Sequence, residues 1–151
     1  ATCSVGLHIR WGASSDKYFY VDHQRPFQSL QKYLRCATQL CPSSRDDPRA
    51  AGTVWLLATD SEWVREQIRA AARFLHPGLK VWSSQAPVAP DNREHQQALT
   101  EMIFVGKATH LVTTRLSTFS FALHARVQKR PWVVSKHQER CTRATHSQDG
   151  L

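Results

Sequence analysis

No stretch of this chain approaches the roughly 18 consecutive apolar residues that a membrane-spanning helix needs, and no charged-then-apolar leader opens it. It starts at Ala1 and enters the apolar run Val5-Gly6-Leu7-His8-Ile9 almost at once. A first strand that close to the terminus reads as a piece of something longer, so any membrane association is expected only through a segment outside this sequence. Glycine is sparse, and Gly-x-Gly-x-x-Gly and Walker patterns are absent, which argues against NAD and ATP. There is no Gly-x-Ser-x-Gly elbow, and the 8 histidines never pair at i, i+4. No metal site is expected. Repeats and low-complexity tracts are also missing. Acidic residues are short, 12 against 20 Lys and Arg, which leaves a net charge of +8. That balance favours anionic partners. The basic residues are scattered, with no zinc-finger, K-homology or RNP-type pattern among them, so nucleic acid is not expected.

What is present fits one globular domain. The 151 residues are long enough for one buried core. Four cysteines, Cys3, Cys36, Cys41 and Cys141, fit disulfides in an oxidising compartment. The Cys36/Cys41 loop is easy to close, but four cysteines permit three pairings. Buried thiols are the alternative. Zinc is disfavoured, since no second pair follows the close one.

Strand and helix patterns alternate. Apolar runs at Val5 to Trp11 and Thr53 to Thr59 read as buried strands, and Leu79 to Ser83, His110 to Thr113 and Pro131 to Val134 as further strands. Helical spacing follows Pro26 through Phe27, Leu30 and Leu34, and marks Glu62 to Leu75, Glu94 to Val105 and Ser117 to Val127. Asp60-Ser61 is a helix-capping pair. Ala13 to Arg25 reads as a functional loop, Ser84 to Asn92 as a Pro-containing loop, and Cys41 to Pro48 as an exposed connector. The expected fold is α/β: a Rossmann-like parallel sheet with helices on both faces. Residues 1–136 form that domain and 137–151 a polar tail, ordered near Cys141.

Ligands of such sheets bind beyond the carboxyl ends of the strands. His8 and Arg10 share a face at the end of the first strand. Asp60 puts a carboxylate at the end of the second. Ser117-Thr118-Phe119 opens a helix whose unpaired N–H groups and dipole favour phosphate. Together they suit a nucleotide diphosphate, with Arg10 gripping phosphate oxygens. Trp11 is the tryptophan best placed to touch a ligand.

The first-strand run from Val5 to Gly12 resembles the His-x-Arg motif of the fucosyltransferase superfamily that includes α1,2, α1,6 and protein-O-fucosylating enzymes. Val54 to Ser61 resembles that group's second strand, and Thr100 to Ala125, with its acid, Gly-x-Ala turn, strand and Ser-Thr-Phe, resembles its third motif region. The resemblance runs from Val5 to Val134. It implies the C-terminal, GDP-fucose-binding lobe of a two-lobed GT-B glycosyltransferase, with GDP-fucose as donor substrate, no cofactor, and a glycan or protein hydroxyl as acceptor. It further implies that Arg10 and His8 are the catalytic candidates, with Arg10 neutralising the departing GDP and His8 supporting the donor. Asp60 and Glu101 would lie near the guanosine, and Ser117, Thr118 and Phe119 near the phosphates. Metal independence follows from the same resemblance and agrees with the lack of an Asp-x-Asp motif. The Golgi or ER lumen is the implied location, and an N-terminal lobe or partner chain the implied companion. The alternative is an inactive domain serving as a binding or structural subunit. It is motivated by the absent acceptor lobe and by Trp11-Gly12-Ala13-Ser14-Ser15, which stands where several members carry a charged residue.

Overall fold

A computed structural model describes residues 2–11, 26–83, 93–114, 118–135 and 138–144. The order is β1 (Ser4–Ile9), α1 (Pro26–Leu40), a short 3-10 turn (Pro48–Gly52), β2 (Val54–Thr59), α2 (Glu62–Leu75) and β3 (Lys80–Ser83). There follow α3 (Arg93–Gly106), β4 (His110–Thr114), α4 (Thr118–Val127), β5 (Trp132–Val134) and β6 (Thr142–Arg143). The loops expected at Ala13 to Arg25 and Ser84 to Asn92 lie outside the described residues.

One six-stranded sheet runs β3-β2-β1-β4-β5-β6. Its first five strands are parallel, and β6 is antiparallel to β5. The chain therefore builds outward from β1 through β2 to β3, then crosses back to lay β4 on the other side of β1. The direction reverses between β1 and β4, and an α/β sheet opens a crevice at that point.

Strand periodicity divides the core into two layers. Val5, Leu7 and Ile9 of β1 pack with Leu30, Tyr33 and Ala37 of α1 and with Val64, Ile68 and Ala72 of α2. On the opposite face, Ala58 of β2 packs with Met102 and Val105 of α3 and Leu123 of α4. Gly6 belongs to that second face. A Cβ there would come within 2.5 Å of the Val105 carbonyl oxygen, so glycine is what lets α3 lie directly against β1. In α2 the buried apolar residues Val64, Ile68 and Ala72 recur every fourth position, and Ser61 caps the helix by accepting the Val64 N–H at 3.2 Å.

Three features depart from the sequence reading. β1 ends at Ile9 rather than Trp11, because the next two N–H groups turn to side chains: Arg10 to Thr114 and Trp11 to Asp60. Within the stretch read as tail, Thr142–Arg143 adds an edge strand to β5. The disulfides are Cys3–Cys41 and Cys36–Cys141, so the easily closed Cys36/Cys41 loop does not form. Residues five apart at a helix end project about 140° apart around the axis, which aims the two sulfurs at different partners. Among the described residues, no helix is long and apolar enough to cross a membrane.

Because the disulfides close loops of sequence separation 38 and 105, chain entropy assigns them about 4 and 5 kcal/mol. Peptide mapping without reductant should recover these two pairs and no Cys36–Cys41 peptide. Replacing Cys36 and Cys141 together by Ala should lower the unfolding free energy by about 3–5 kcal/mol in denaturant titrations.

Candidate functional site

The β1 tip is held from both sides by the tips of its neighbours. On the β2 side, Asp60 follows the last strand residue. Because Ser61 takes the capping role, the Asp60 carboxylate is turned toward β1 instead of the α2 N-terminus. One oxygen, Oδ1, accepts the Trp11 N–H at 2.8 Å, and the other, Oδ2, lies 3.2 Å from Arg10 Nη1. The pair is partly open, with side-chain exposures of 36% for Arg10 and 19% for Asp60. An ion pair this wet contributes at most about 1 kcal/mol to folding. Its effect is to hold the guanidinium in a set place at the β1 tip.

On the β4 side, Thr114 is the junction. Its Oγ1 accepts the Arg10 N–H at 2.9 Å and lies 2.6 Å from the Tyr33 hydroxyl and 3.3 Å from the His8 carbonyl. One hydrogen bond joins the Thr114 and Tyr33 hydroxyls, and either oxygen can be its donor. Burial, above all, pushes the Tyr33 hydroxyl above the ordinary tyrosine range and keeps it protonated. Beneath Asp60, the buried Arg65 bonds Glu62 and the Thr59 carbonyl, and the Thr59 hydroxyl accepts the Ser61 N–H. The backbone around the site is thus fixed by side chains rather than by sheet pairing.

Of the residues singled out in the sequence, Arg10 and Asp60 are in direct contact. His8 sits one pleat below Arg10 and only 6% exposed, between Ala58 and Thr113. Burial first, and the Arg10 charge second, lower its pKa to about 3. It is therefore a neutral imidazole at physiological pH, able to orient neighbours without adding positive charge. Glu101 is half-buried beside Met102, about 12 Å along α3 from Arg93 at 1.5 Å per residue. Thr118 begins α4 just beyond β4, placing a helix start at the same end of the sheet as Arg10. Ser117 and the side chains of Thr118 and Phe119 lie outside the described residues.

Sequence reading missed Thr114 and Tyr33. Thr114 carried a weak signal, a hydroxyl at a strand's carboxyl end. Tyr33 carried none, since at helical spacing it reads as core. Among the described residues, one group brings possible metal-ligand atoms within 4.8 Å of one another: Cys3, Cys41 and His110. Both sulfurs are joined in a disulfide and offer no thiolate to a metal.

A sheet of this order, parallel but for its edge strand and with its crevice at the β1–β4 switch point, is Rossmann-like. No family model and no curated protein matches the sequence. Among solved structures, the chain is similar to a mutant form of Arabidopsis thaliana FUT1, a fucosyltransferase, in complex with GDP. The match has a TM-score of 0.64 and 16% identity and covers 94% of this chain. The chain spans about a third of that protein's length, 32%. At this identity the likeness establishes the fold alone, that of one Rossmann-like lobe of a GT-B structure.

Two predictions follow from the geometry. Thr114→Val should cost about 1–3 kcal/mol, because it strands the Arg10 N–H and the buried Tyr33 hydroxyl. Tyr33→Phe should add little in that background, as a double-mutant cycle in urea would show. For His8, the unfolded chain takes a proton near 6.5 while the folded chain resists to about 3. Below pH 6.5 the unfolded state binds more protons, so stability falls as pH drops, by up to about 1.4 kcal/mol per pH unit from this group. His8→Gln should flatten that part of the pH–stability curve; an unchanged slope between pH about 6.5 and about 4 would refute the assignment.

Proposed function

We propose that this chain is the donor-binding half of a fucosyltransferase, taking GDP-fucose and passing fucose to a glycan or protein hydroxyl. The observation that carries the reading is the position of Arg10: the tip of the central strand, at the switch point, held in place by Asp60. In this reading the diphosphate lies between Arg10 and the α4 start, where Ser117, Thr118 and Phe119 are grouped. As the bond between fucose and the β-phosphate breaks, charge accumulates on the departing GDP. A guanidinium already oriented there stabilises it without reorganising, and no metal is called for. Asp60 and Glu101 serve the guanosine or the groups that hold it, and His8 positions the Arg10 strand as a buried neutral ring.

An acceptor lobe, in the same polypeptide or a partner chain, would close the crevice and exclude water. The fold's likeness to one third of a longer fucosyltransferase supports that arrangement. Two disulfides support folding in the lumen of the secretory pathway, and the Golgi or ER is the location proposed. A second reading, a donor-like lobe kept as a binding or structural subunit, is favoured by one feature: the Arg10 guanidinium already faces a carboxylate that competes with phosphate. Fucose transfer by the intact parent protein would count against that reading.

Calorimetric titration tests the proposal. GDP and GDP-fucose should bind in preference to UDP and ATP, and Arg10→Ala should weaken GDP by about tenfold or more, as expected for losing a charge-assisted bond. A folded chain that ignores GDP, or binds it equally well without Arg10, would sink the donor-lobe reading.

A further inference from the structure

The opposite end of the sheet from Arg10 carries a second grouping of reactive side chains. Cys3 precedes β1, about 23 Å back along the strand from Arg10 at 3.3 Å per residue. His110 opens β4 and pairs with Val5, so those two side chains share a sheet face, and alternation puts Cys3 on that face as well. It is the face that α1 covers, since Val5 and Val112 both pack with α1 and α2. Cys41, directly after α1, reaches the same place. The sulfurs of Cys3 and Cys41 and a ring nitrogen of His110 fall within 4.8 Å of one another. The backbone that carries them is pinned. The Cys3 carbonyl accepts the Val54 N–H at 3.0 Å, the Thr109 N–H bonds Ser4 Oγ at 2.8 Å, and the Cys41 N–H bonds the Ala37 carbonyl at 3.2 Å. Cys41 is buried, while Cys3 and His110 are half-buried and reach solvent.

We propose that these three side chains form a redox-gated zinc site, closed to metal while the disulfide stands and open once it is reduced. In the disulfide the sulfurs are no ligands, because the thiolate is what binds a metal. A dithiol opens the bond by exchange: its own two thiols close to a disulfide, and two electrons and two protons pass to Cys3 and Cys41. Zinc then displaces those two protons. It takes the two thiolates and the neutral imidazole in three tetrahedral positions, with water in the fourth. Sulfurs on such an ion stand about 3.8 Å apart. With Cα atoms 5.7 Å apart, rotation of the two side chains reaches that separation without moving the backbone. Two thiolates and an imidazole select zinc over the hard, oxygen-seeking calcium and magnesium. The ion would join the start of β1, the end of α1 and the start of β4. It thus replaces the cross-link that reduction removes, and draws in a third segment through His110.

The site stands apart from the donor-lobe reading and is tested without it. The full chain is reduced with a dithiol, freed of the reductant under argon, and titrated with cobalt and then zinc. Cobalt should bring the visible bands of a tetrahedral ion with a sulfur-to-metal charge-transfer band, and an equivalent of zinc should remove both. His110→Ala should weaken zinc by more than about tenfold, the least expected for a lost ligand when changes behind a ligand already cost that much. His110→Cys should restore tight binding. Zinc should also shield Cys3 and Cys41 from alkylation, read by peptide mapping, and leave Cys36 and Cys141 open to it. Because reduction loosens the fold, circular dichroism follows the same titration. Zinc should return the reduced wild type toward its oxidised spectrum, and His110→Ala should respond only at higher zinc. No cobalt bands in the reduced wild type would overturn the site. So would zinc binding indifferent to His110→Ala, shielding of Cys36 and Cys141 in place of Cys3 and Cys41, or the same cobalt bands in the oxidised chain.

Discussion

The tip of β1 is held by hydrogen bonds from side chains on both neighbouring strands, and the geometry of the crevice depends on that hold. Past Ile9 the backbone leaves the sheet, and its next two N–H groups would be orphaned without Thr114 and Asp60. Each partner does a second job. Thr114 ties in the Tyr33 hydroxyl from α1, and Asp60 orients the Arg10 side chain. Backbone satisfaction and ligand-facing geometry are thus the same set of bonds, so a change that frees the strand tip also moves the guanidinium.

This arrangement explains why so wet an ion pair is placed so carefully. In a half-exposed setting the Arg10–Asp60 contact adds little to folding. Its effect is orientation: it fixes a planar fork of donors at the β1 tip, the geometry on which the donor-lobe proposal draws. The neutral His8 below belongs to the same logic. A second positive charge buried beside Arg10 would be costly, and burial removes it by depressing the imidazole pKa.

The two disulfides bracket the same framework from the other end. Cys3 precedes β1, and Cys41 follows the helix that packs on it. Cys36 of α1 is tied to Cys141, next to the edge strand that covers β5. Both cross-links therefore act on α1, the helix that carries Tyr33. Crosslinks at one end of a helix and a hydrogen-bonded hydroxyl at the strand tips leave that helix little freedom to slide along the sheet.

Much of this was legible in the linear sequence. Short apolar runs for β2, β3 and β4 and helical spacing for α2 and α3, bounded by capping and turn residues, marked these elements to within a residue or two, because each element's own periodicity is written in its sequence. The same reasoning placed His8 and Arg10 on one face and Asp60 at a strand end. Three things were decided only in three dimensions. The cysteine pairing depends on which segments α1 passes, not on spacing along the chain. That Ser61 of the capping pair caps the helix while Asp60 bonds Arg10 and Trp11 follows from the β1 tip lying beside the β2 end. The partnership of Thr114 with Tyr33 joins residues 81 apart in sequence. A sequence displays local periods and caps because those are set by neighbours in the chain. Side-chain partners drawn from different strands become visible only once the sheet order brings their tips together.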